Sequence, residues 1–313
     1  MSWRNSIEGS AVEYDSQDLY VFGKSIRKTY ANRGETFYVD SAVAGSGGTS
    51  PDSAMATLDE AFAKTAANRG DVIVVLPNHS ETVTGVAGIA ADVAGVTVIG
   101  LGSHNQRPRF LMDGAASVTA VISAADVTFR NLVFAAGHAD IVTGIGVTAK
   151  GAWLDRVEFV ENVATENFLI QVNATGGDNT ADGLKITNCR SIGADASENE
   201  FLALVGDIAN LVMQDNFVVK KLSTDGALIK QATGKDLVAV DVQRNFLHNA
   251  MTSGDLLIDN DTTANSGVVA YNNVIHLDTS GEVYVDADGV GQFENRGTAV
   301  VTASGYVLPA VDS

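Results

Sequence analysis

The sequence contains little cysteine, which could cross-link the chain, and little proline, which would interrupt regular secondary structure. Of its 313 residues only one is cysteine, Cys189, and four are proline. A single cysteine excludes an internal disulfide, and so few prolines exclude a proline-rich linker. We interpret Cys189 as a small apolar residue of the core. The 31 glycines, in contrast, indicate many tight turns.

Positive charge is also scarce. There are 20 lysines and arginines against 38 acids, which gives a net charge of −18. Such a surface repels nucleic acid and anionic membranes, so neither is predicted as a partner. No run of 18 apolar residues occurs, which excludes a transmembrane helix. The start, Met1–Asn5, lacks the apolar region of an ordinary signal peptide. We therefore expect synthesis in a host cytoplasm.

What the sequence does contain is a signature that recurs between Gly95 and Asp278. Each copy has a few β-forming residues, then Asn or a substitute, then more apolar residues. Counted at residues 100, 131, 156, 188, 216, 245 and 273, the steps are 31, 25, 32, 28, 29 and 28. Units of this length bury their core only by stacking on their neighbours. Two or three short strands per period, without a helical pattern, predict an all-β parallel β-helix solenoid.

A mixed segment precedes the repeat. Thr36–Asp40 predicts a strand, and residues 56–70 predict a helix. Thr57 and Glu60 have the spacing of a capping box at the start of this helix. The continuous apolar run Val72–Pro77 then predicts a fully buried strand.

This entry segment resembles that of right-handed parallel β-helix proteins of the pectate-lyase-like superfamily. The resemblance rests on Tyr-Val-Asp, Gly-Ser-Gly-Gly-Thr-Ser-Pro-Asp-Ser-Ala, Thr-Leu-Asp-Glu-Ala and Val-Ile-Val-Val-Leu-Pro. It covers about residues 36 to 296 and implies a right-handed solenoid with a short N-terminal capping helix. The group includes polysaccharide lyases, glycoside hydrolases and phage tailspikes and other virion proteins, so the activity stays open.

The chain divides into three predicted parts. Residues 1–34 are polar, irregular and nearly neutral, and we interpret them as an arm for docking or assembly. Residues 35–296 form the β-helix, and residues 297–313, which are apolar, form either a cap or an oligomer contact. The resemblance to virion β-helices implies a homotrimer. The assembly residues predicted in the arm are Trp3, Tyr20, Phe22, Arg27 and Lys28.

Few outward residues of the repeat predict chemistry. Strand alternation places Arg130 and Asp155 outward on adjacent coils, where we expect a surface ion pair. Asp182 and Asp241 are the other acids that a depolymerase could use. No three carboxylates line up as a calcium-assisted lyase requires, and no acids pair at glycosidase spacing. No cofactor and no metal are therefore predicted. Trp153 is the single large aromatic residue expected on the repeated faces.

The asparagines of the signature predict a structural ladder. Asn tolerates left-handed backbone angles, and its side chain bonds to nearby backbone, so stacked copies stabilise successive turns. The predicted ladder contains Asn131, Asn188, Asn216, Asn245 and Asn273.

These observations lead to a hypothesis of function. The protein is predicted to be a non-enzymatic virion protein, a phage capsid decoration or tail-associated β-helix, attached to a capsid or tail protein by its N-terminal arm. Two alternatives stay open. One is a tailspike-like polysaccharide depolymerase, either a lyase or a glycoside hydrolase. The other is an adhesin that binds a host surface glycan without cleaving it.

Overall fold

The structure is a computed structural model of the 313-residue chain. It describes residues 34–43, 45, 47–161, 165–193, 199–220, 227–249 and 265–271. It also describes separate strands at 5–6, 12–15, 18–21, 24–25, 256–259, 273–276, 285–286, 290–293 and 296–298.

Most described strands belong to three parallel sheets. Sheet 1 contains Thr36–Val39, Val72–Val75, Thr97–Gly100, Thr128–Arg130, Trp153–Asp155, Lys185–Thr187, Val212–Gln214, Val240–Gln243, Gly267–Ala270 and Val290–Phe293. Sheet 2 contains Ser80–Thr84, Arg109–Asp113, Val133–Ala136, Glu158–Val160, Arg190–Ile192, Phe217–Lys220, Phe246–Asn249, Asn273–His276 and Arg296–Thr298. Sheet 3 contains Ile89–Ala91, Ala120–Ile122, Ile145–Val147, Val172–Ala174, Leu202–Leu204, Ala227–Gln231, Leu256–Asp259 and Val285–Asp286.

The chain visits the three sheets in a fixed order. From Val72–Val75 onward it passes from sheet 1 to sheet 2 to sheet 3 and returns to sheet 1 one coil later. Each strand of the three sheets pairs in parallel with the strand of the next coil. Crossovers between parallel strands are right-handed. The chain is a right-handed parallel β-helix. This confirms the predicted fold class. One extra parallel pair, Ile208–Ala209 with Leu237–Val238, lies ahead of sheet 1 in two coils.

Alternation within each strand builds the core. In sheet 1 the inward residues are fully buried and aligned from coil to coil; the set is Val98, Phe129, Leu154, Ile186, Met213 and Val242. Alternation along the recurring signature predicts these six inward residues and Tyr271 as the seventh, but Tyr271 is 48% exposed. Val269 takes that inward place opposite Val242, because the strand ends at Ala270 and Tyr271 forms the following turn.

The first coil is closed by helix α1, Leu58–Phe62. The predicted capping box is present, because Thr57 Oγ1 accepts from the Glu60 N–H while the Glu60 carboxylate accepts from the Thr57 N–H. The helix ends at Phe62, not at residue 70 as predicted. Thr65 Oγ1 donates to the Phe62 carbonyl, and the Ala66 N–H donates to the Asp71 carboxylate, so the backbone turns away there.

The strand that follows α1 is buried on one face only. Ile73 and Val75 are fully buried, while Val72 and Val74 point outward and are partly exposed. The prediction of a fully buried strand was wrong, because among the described residues the outward side chains of this strand stay partly exposed.

The structure describes parts of both ends of the chain. Residues 1–34, predicted to be irregular, contain a four-stranded antiparallel sheet made of Asn5–Ser6, Val12–Asp15, Asp18–Val21 and Lys24–Ser25. Tyr20 lies in its third strand, whereas Trp3, Phe22, Arg27, Lys28 and residues 299–313 lie outside the described residues. In the described part of the chain, no helix has the length and apolar character needed to cross a membrane.

Candidate functional site

A two-residue turn joins sheet 1 to sheet 2 in successive coils. Its first residue has a left-handed backbone, with φ between 55° and 59°, and its second residue, wherever the structure describes it, points into the core. The first column contains Asn131, Arg156, Asn188, Asp215, Arg244 and Tyr271. Arginine, aspartate and tyrosine therefore accept this backbone as well as asparagine does, so asparagine does not mark one fixed turn position.

The five asparagines predicted as one ladder consequently divide between three columns. Asn131 and Asn188 occupy the left-handed position, while Asn216 and Asn245 occupy the buried position that follows it. Asn273 is the first residue of a sheet-2 strand, opposite Phe246. The prediction of a single column is corrected, because a column is set by the strand register and not by the residue type.

Within the buried column, Asn216 and Asn245 do form a stacked pair. Asn216 Nδ2 donates to Asn245 Oδ1 at 2.8 Å, and Asn245 Nδ2 donates to the Met213 carbonyl at 3.0 Å. The Cys189 N–H donates to Asn216 Oδ1 at 2.8 Å. These side chains connect three successive coils through the core and present no polar group to solvent.

The outer face of sheet 1 carries the predicted ion pair. Arg130 Nε lies 2.9 Å from Asp155 Oδ2. The other oxygen, Oδ1, accepts from Thr187 Oγ1 and from Asn188 Nδ2, each at 3.0 Å. Asp155 is only 2% exposed, and its carboxylate is surrounded by donors from the coils on either side rather than free on the surface.

Trp153 lies beside this network and is 37% exposed. Its Nε1 donates to Thr187 Oγ1 at 2.9 Å, which fixes the indole across the neighbouring strand. The Lys185 ammonium lies 5.9 Å from the centre of the indole ring, within the range of a cation–π contact. Trp153, Lys185 and Arg130 thus form a small aromatic and cationic surface on an otherwise acidic protein.

The two remaining acids of the prediction lie elsewhere. Asp241 accepts from the side-chain amides of Gln214 and Gln243, each at 2.6 Å. It lies three strands from Asp155 and two residues out of register with it, which is more than about 14 Å at the usual strand spacing and exceeds the separation of glycosidase acids.

Asp182 belongs to the turn before sheet 1. It pairs with Lys150 at 2.9 Å and accepts from the Ala209 N–H at 2.9 Å. Of the four predicted catalytic candidates, the structure therefore brings together Arg130 and Asp155, and it places Asp182 and Asp241 elsewhere. Across the described ranges, no group of three His, Cys, Asp or Glu side chains could hold a metal ion.

Acids in the same turn region form a ladder of their own. The Asp207 N–H donates to the Asp178 carboxylate, and the Asp236 N–H donates to the Asp207 carboxylate. Lys235 lies 2.7 Å from Asp178 Oδ1, and this hydrogen bond is the main reason that the pKa of Asp178 lies below its usual value. These carboxylates therefore connect backbones of successive coils.

Two cations that are largely or fully removed from solvent were not predicted from the sequence. Arg107 donates to Glu158 Oε2 at 2.7 Å and to the carbonyls of Leu132 and Arg156 at 2.9 and 2.6 Å. Burial lowers the pKa of Arg107, against the opposing effect of Glu158. No local pattern marks this residue, because its partners are 25 to 51 positions away.

The second is Lys220, which points inward from sheet 2 and is fully buried. Its ammonium donates to Gln171 Oε1 at 2.5 Å and to the carbonyls of Leu169 and Glu200 at 3.3 and 3.2 Å. Gln171 Nε2 in turn donates to Glu161 Oε1 at 3.3 Å. The Gln171 amide thus lies between the buried ammonium of Lys220 and the carboxylate of Glu161. These contacts link coils and do not expose a reactive amine.

Aromatic residues on sheet 2 were also not predicted from the sequence. Phe217, 39% exposed, stacks on Phe246 with ring centres 4.8 Å apart and an angle of 7° between the planes. Both residues point outward, together with Ile192 and Val219. We call Ile192, Phe217, Val219 and Phe246 the sheet-2 stripe. Their outward position in alternating strands was the available signal.

Comparisons with known proteins found similar solved structures at 10–13% identity. No protein-family model and no curated protein matches the chain. Among solved structures, a rhamnogalacturonan lyase is 13% identical, covering 84% of this chain and 74% of its own, with a TM-score of 0.44. The pectate lyase Pel9A is 11% identical, covering 88% and 80%, with a TM-score of 0.45. A GH136 lacto-N-biosidase from Eubacterium ramulus is 10% identical, covering 85% and 68%, with a TM-score of 0.36.

Proposed function

We propose that the protein is a non-enzymatic structural protein of a phage particle, in which the β-helix serves as a rigid rod. The observation that carries this proposal is the use of charged side chains to link coils. The ion pairs that do so are Arg107–Glu158, Arg130–Asp155, Lys150–Asp182, Arg190–Glu158, Lys235–Asp178 and Arg244–Asp215.

The acids that the sequence predicts as catalytic candidates are also held by hydrogen bonds and ion pairs. Asp155 accepts from three side chains, Asp241 from two, and Asp182 from a lysine and a backbone N–H. A general acid or base needs an oxygen within hydrogen-bond reach of its substrate. Carboxylates held in this manner favour a structural role over proton transfer.

Attachment is assigned to residues 1–34. This segment has five basic and four acidic residues, a net charge of +1, whereas the remaining 15 basic and 34 acidic residues give −19. An acidic particle surface would repel the acidic rod, whereas a nearly neutral arm can approach it. A homotrimer, on a capsid or a tail, completes the proposal.

Particle assembly tests the attachment. Particles assembled with a chain lacking residues 1–34 should contain none of the rod, although the purified variant keeps its β-sheet circular dichroism. A matched variant, in which Lys24, Arg27 and Lys28 are changed to serine, tests whether incorporation requires the positive charge of the arm or the whole arm. Normal incorporation of the deletion variant would overturn the assignment.

Glycan binding is the second candidate function, and the exposed Trp153 beside Lys185 favours it. Aromatic rings combined with cations suit an acidic sugar chain. Incubation with capsular and pectic polysaccharides, followed by assays for reducing ends and for absorbance of new double bonds, separates the possibilities. Turnover would refute the structural proposal in favour of a depolymerase. Binding that Trp153→Ala abolishes, without turnover, would indicate an adhesin.

A further inference from the structure

A set of cations lies at the corner where the chain passes from sheet 1 to sheet 2. The set starts on the outer face of sheet 1, includes a residue of the two-residue turn, and ends at the first position of a sheet-2 strand. We call these residues the corner cations; they are Lys185, Arg130, Arg156, Arg107 and Arg190.

The two acids that contact the corner cations are already neutralised. Asp155 is buried and pairs with Arg130. Glu158 lies between Arg107 and Arg190 and places one carboxylate oxygen on each guanidinium. Five cations against two acids leave a local charge of +3, although the net charge of the chain is −18. The corner is therefore a positive surface on an acidic protein.

Two of these arginines keep hydrogen-bond donors for a ligand. Arg190 uses one nitrogen for Glu158, and its guanidinium lies 5.9 Å from the centre of the Phe217 ring. These contacts fix the guanidinium, while the side chain stays 51% exposed. Arg156 is exposed, and no hydrogen bond or ion pair to a described residue engages its side chain. Because a guanidinium has five N–H donors, both arginines can bind an anionic oxygen.

The spacing of the corner cations favours a chain-like ligand over a single ion. Lys185 and Arg190 are five residues apart on one coil, on opposite sides of the turn. Arg156 lies one coil earlier and Arg130 one coil before that, at steps of about 4.8 Å along the solenoid. A polysaccharide with one anionic group on each sugar unit offers charges at comparable intervals. Duplex DNA carries one charge for about every 1.7 Å of its axis, which is much denser.

We propose that the corner cations bind an acidic polysaccharide, such as a polymer of uronic acid, that crosses the solenoid from sheet 1 to sheet 2. Trp153 and Lys185 contact one sugar unit on sheet 1. Arg156 and Arg190 bind the carboxylates of the following units beyond the turn, and Glu158 positions Arg190 for this contact. The proposal rests on glycan binding, the second candidate function, and extends its site from one face of the solenoid to two.

Binding of polygalacturonate to the full-length chain, measured by isothermal titration calorimetry, tests this proposal. Arg156→Gln with Arg190→Gln should weaken binding at least about tenfold, since hydrogen bonds to charged groups are lost at both positions. Arg244→Gln with Lys235→Gln is the matched control, because it removes the same charge from two ion pairs outside the corner. The control should bind as tightly as the unchanged chain. Circular dichroism verifies that both variants keep the β-helix.

The outcomes separate the corner site from glycan binding as such. Binding that Trp153→Ala abolishes but the double arginine change leaves intact would keep glycan binding and overturn the corner site. Equal weakening in the matched control would attribute the effect to net charge and would also overturn it. Absence of binding to polygalacturonate and to dextran sulfate would refute both. Equally tight binding of a single-stranded oligonucleotide would overturn the assignment of a polysaccharide as the ligand.

Discussion

The buried pair Asn216 and Asn245 allows a quantitative prediction. In Asn245→Leu, the Asn216 N–H and one hydrogen of its Nδ2 lose their acceptor, Asn245 Oδ1, at 3.0 and 2.8 Å. The Met213 carbonyl also loses a donor. Leaving a buried donor unsatisfied costs about 1–3 kcal/mol, so the two donors together predict a loss of about 2–6 kcal/mol in the free energy of unfolding. Leucine fits sterically, because Leu132 occupies the same column in an earlier coil.

Urea unfolding followed by circular dichroism measures this loss, and a double-mutant cycle tests its cause. In Asn216→Leu with Asn245→Leu, both partners of the side-chain hydrogen bond are absent, so the loss should be smaller than the sum of the two single losses. An unchanged midpoint for Asn245→Leu, or strict additivity in the double variant, would show that the pair does not stabilise the coils as argued.

Three further predictions concern charge and burial. Arg107→Met should lower the free energy of unfolding by about 2–4 kcal/mol. Arg190→Met removes a half-exposed partner of the same Glu158 and should lower it by only about 0–1 kcal/mol. Equal losses would contradict the reasoning. Cys189, with its pKa raised to about 12 by burial, should resist a thiol reagent at pH 8 and react fully in urea; rapid reaction in the folded state would refute its burial. The hydrogen bond from Lys235 lowers the folded pKa of Asp178, so the stabilisation is present above the unfolded pKa and is lost as the pH falls through the folded pKa. Asp178→Asn should therefore make the unfolding midpoint depend less on pH under acidic conditions. An unchanged pH dependence would contradict this.

The coil-linking polar groups have a mechanical consequence. A parallel β-helix whose units contact only their neighbours unfolds by opening at its ends or at its weakest interface. Arg107 and Lys220 bond to partners 20 to 51 residues away and so connect coils beyond the backbone ladder. Such connections oppose the opening of single coils.

Local chemistry was readable from the sequence. The capping box of Thr57 and Glu60 needs residues only three positions apart, and it is present as predicted. The inward positions of sheet 1 follow from alternation inside single strands, and six of the seven interpreted residues are buried. The pairing of Arg130 with Asp155 also followed, because both lie at the same position of consecutive copies of the signature.

What the tertiary structure alone decided is the alignment of one coil on the next. The steps between copies vary from 25 to 32 residues, so counting along the chain cannot fix a column. Asn216 and Asn245 therefore proved to be core residues, and Asn131 and Asn188 turn residues. The sheet-2 stripe also follows from this alignment, since its side chains meet only across coils. The sequence determined which residues face inward, because that depends on the two-residue period of a strand. Folding decided which outward residues meet, because that depends on loops whose lengths no local rule sets.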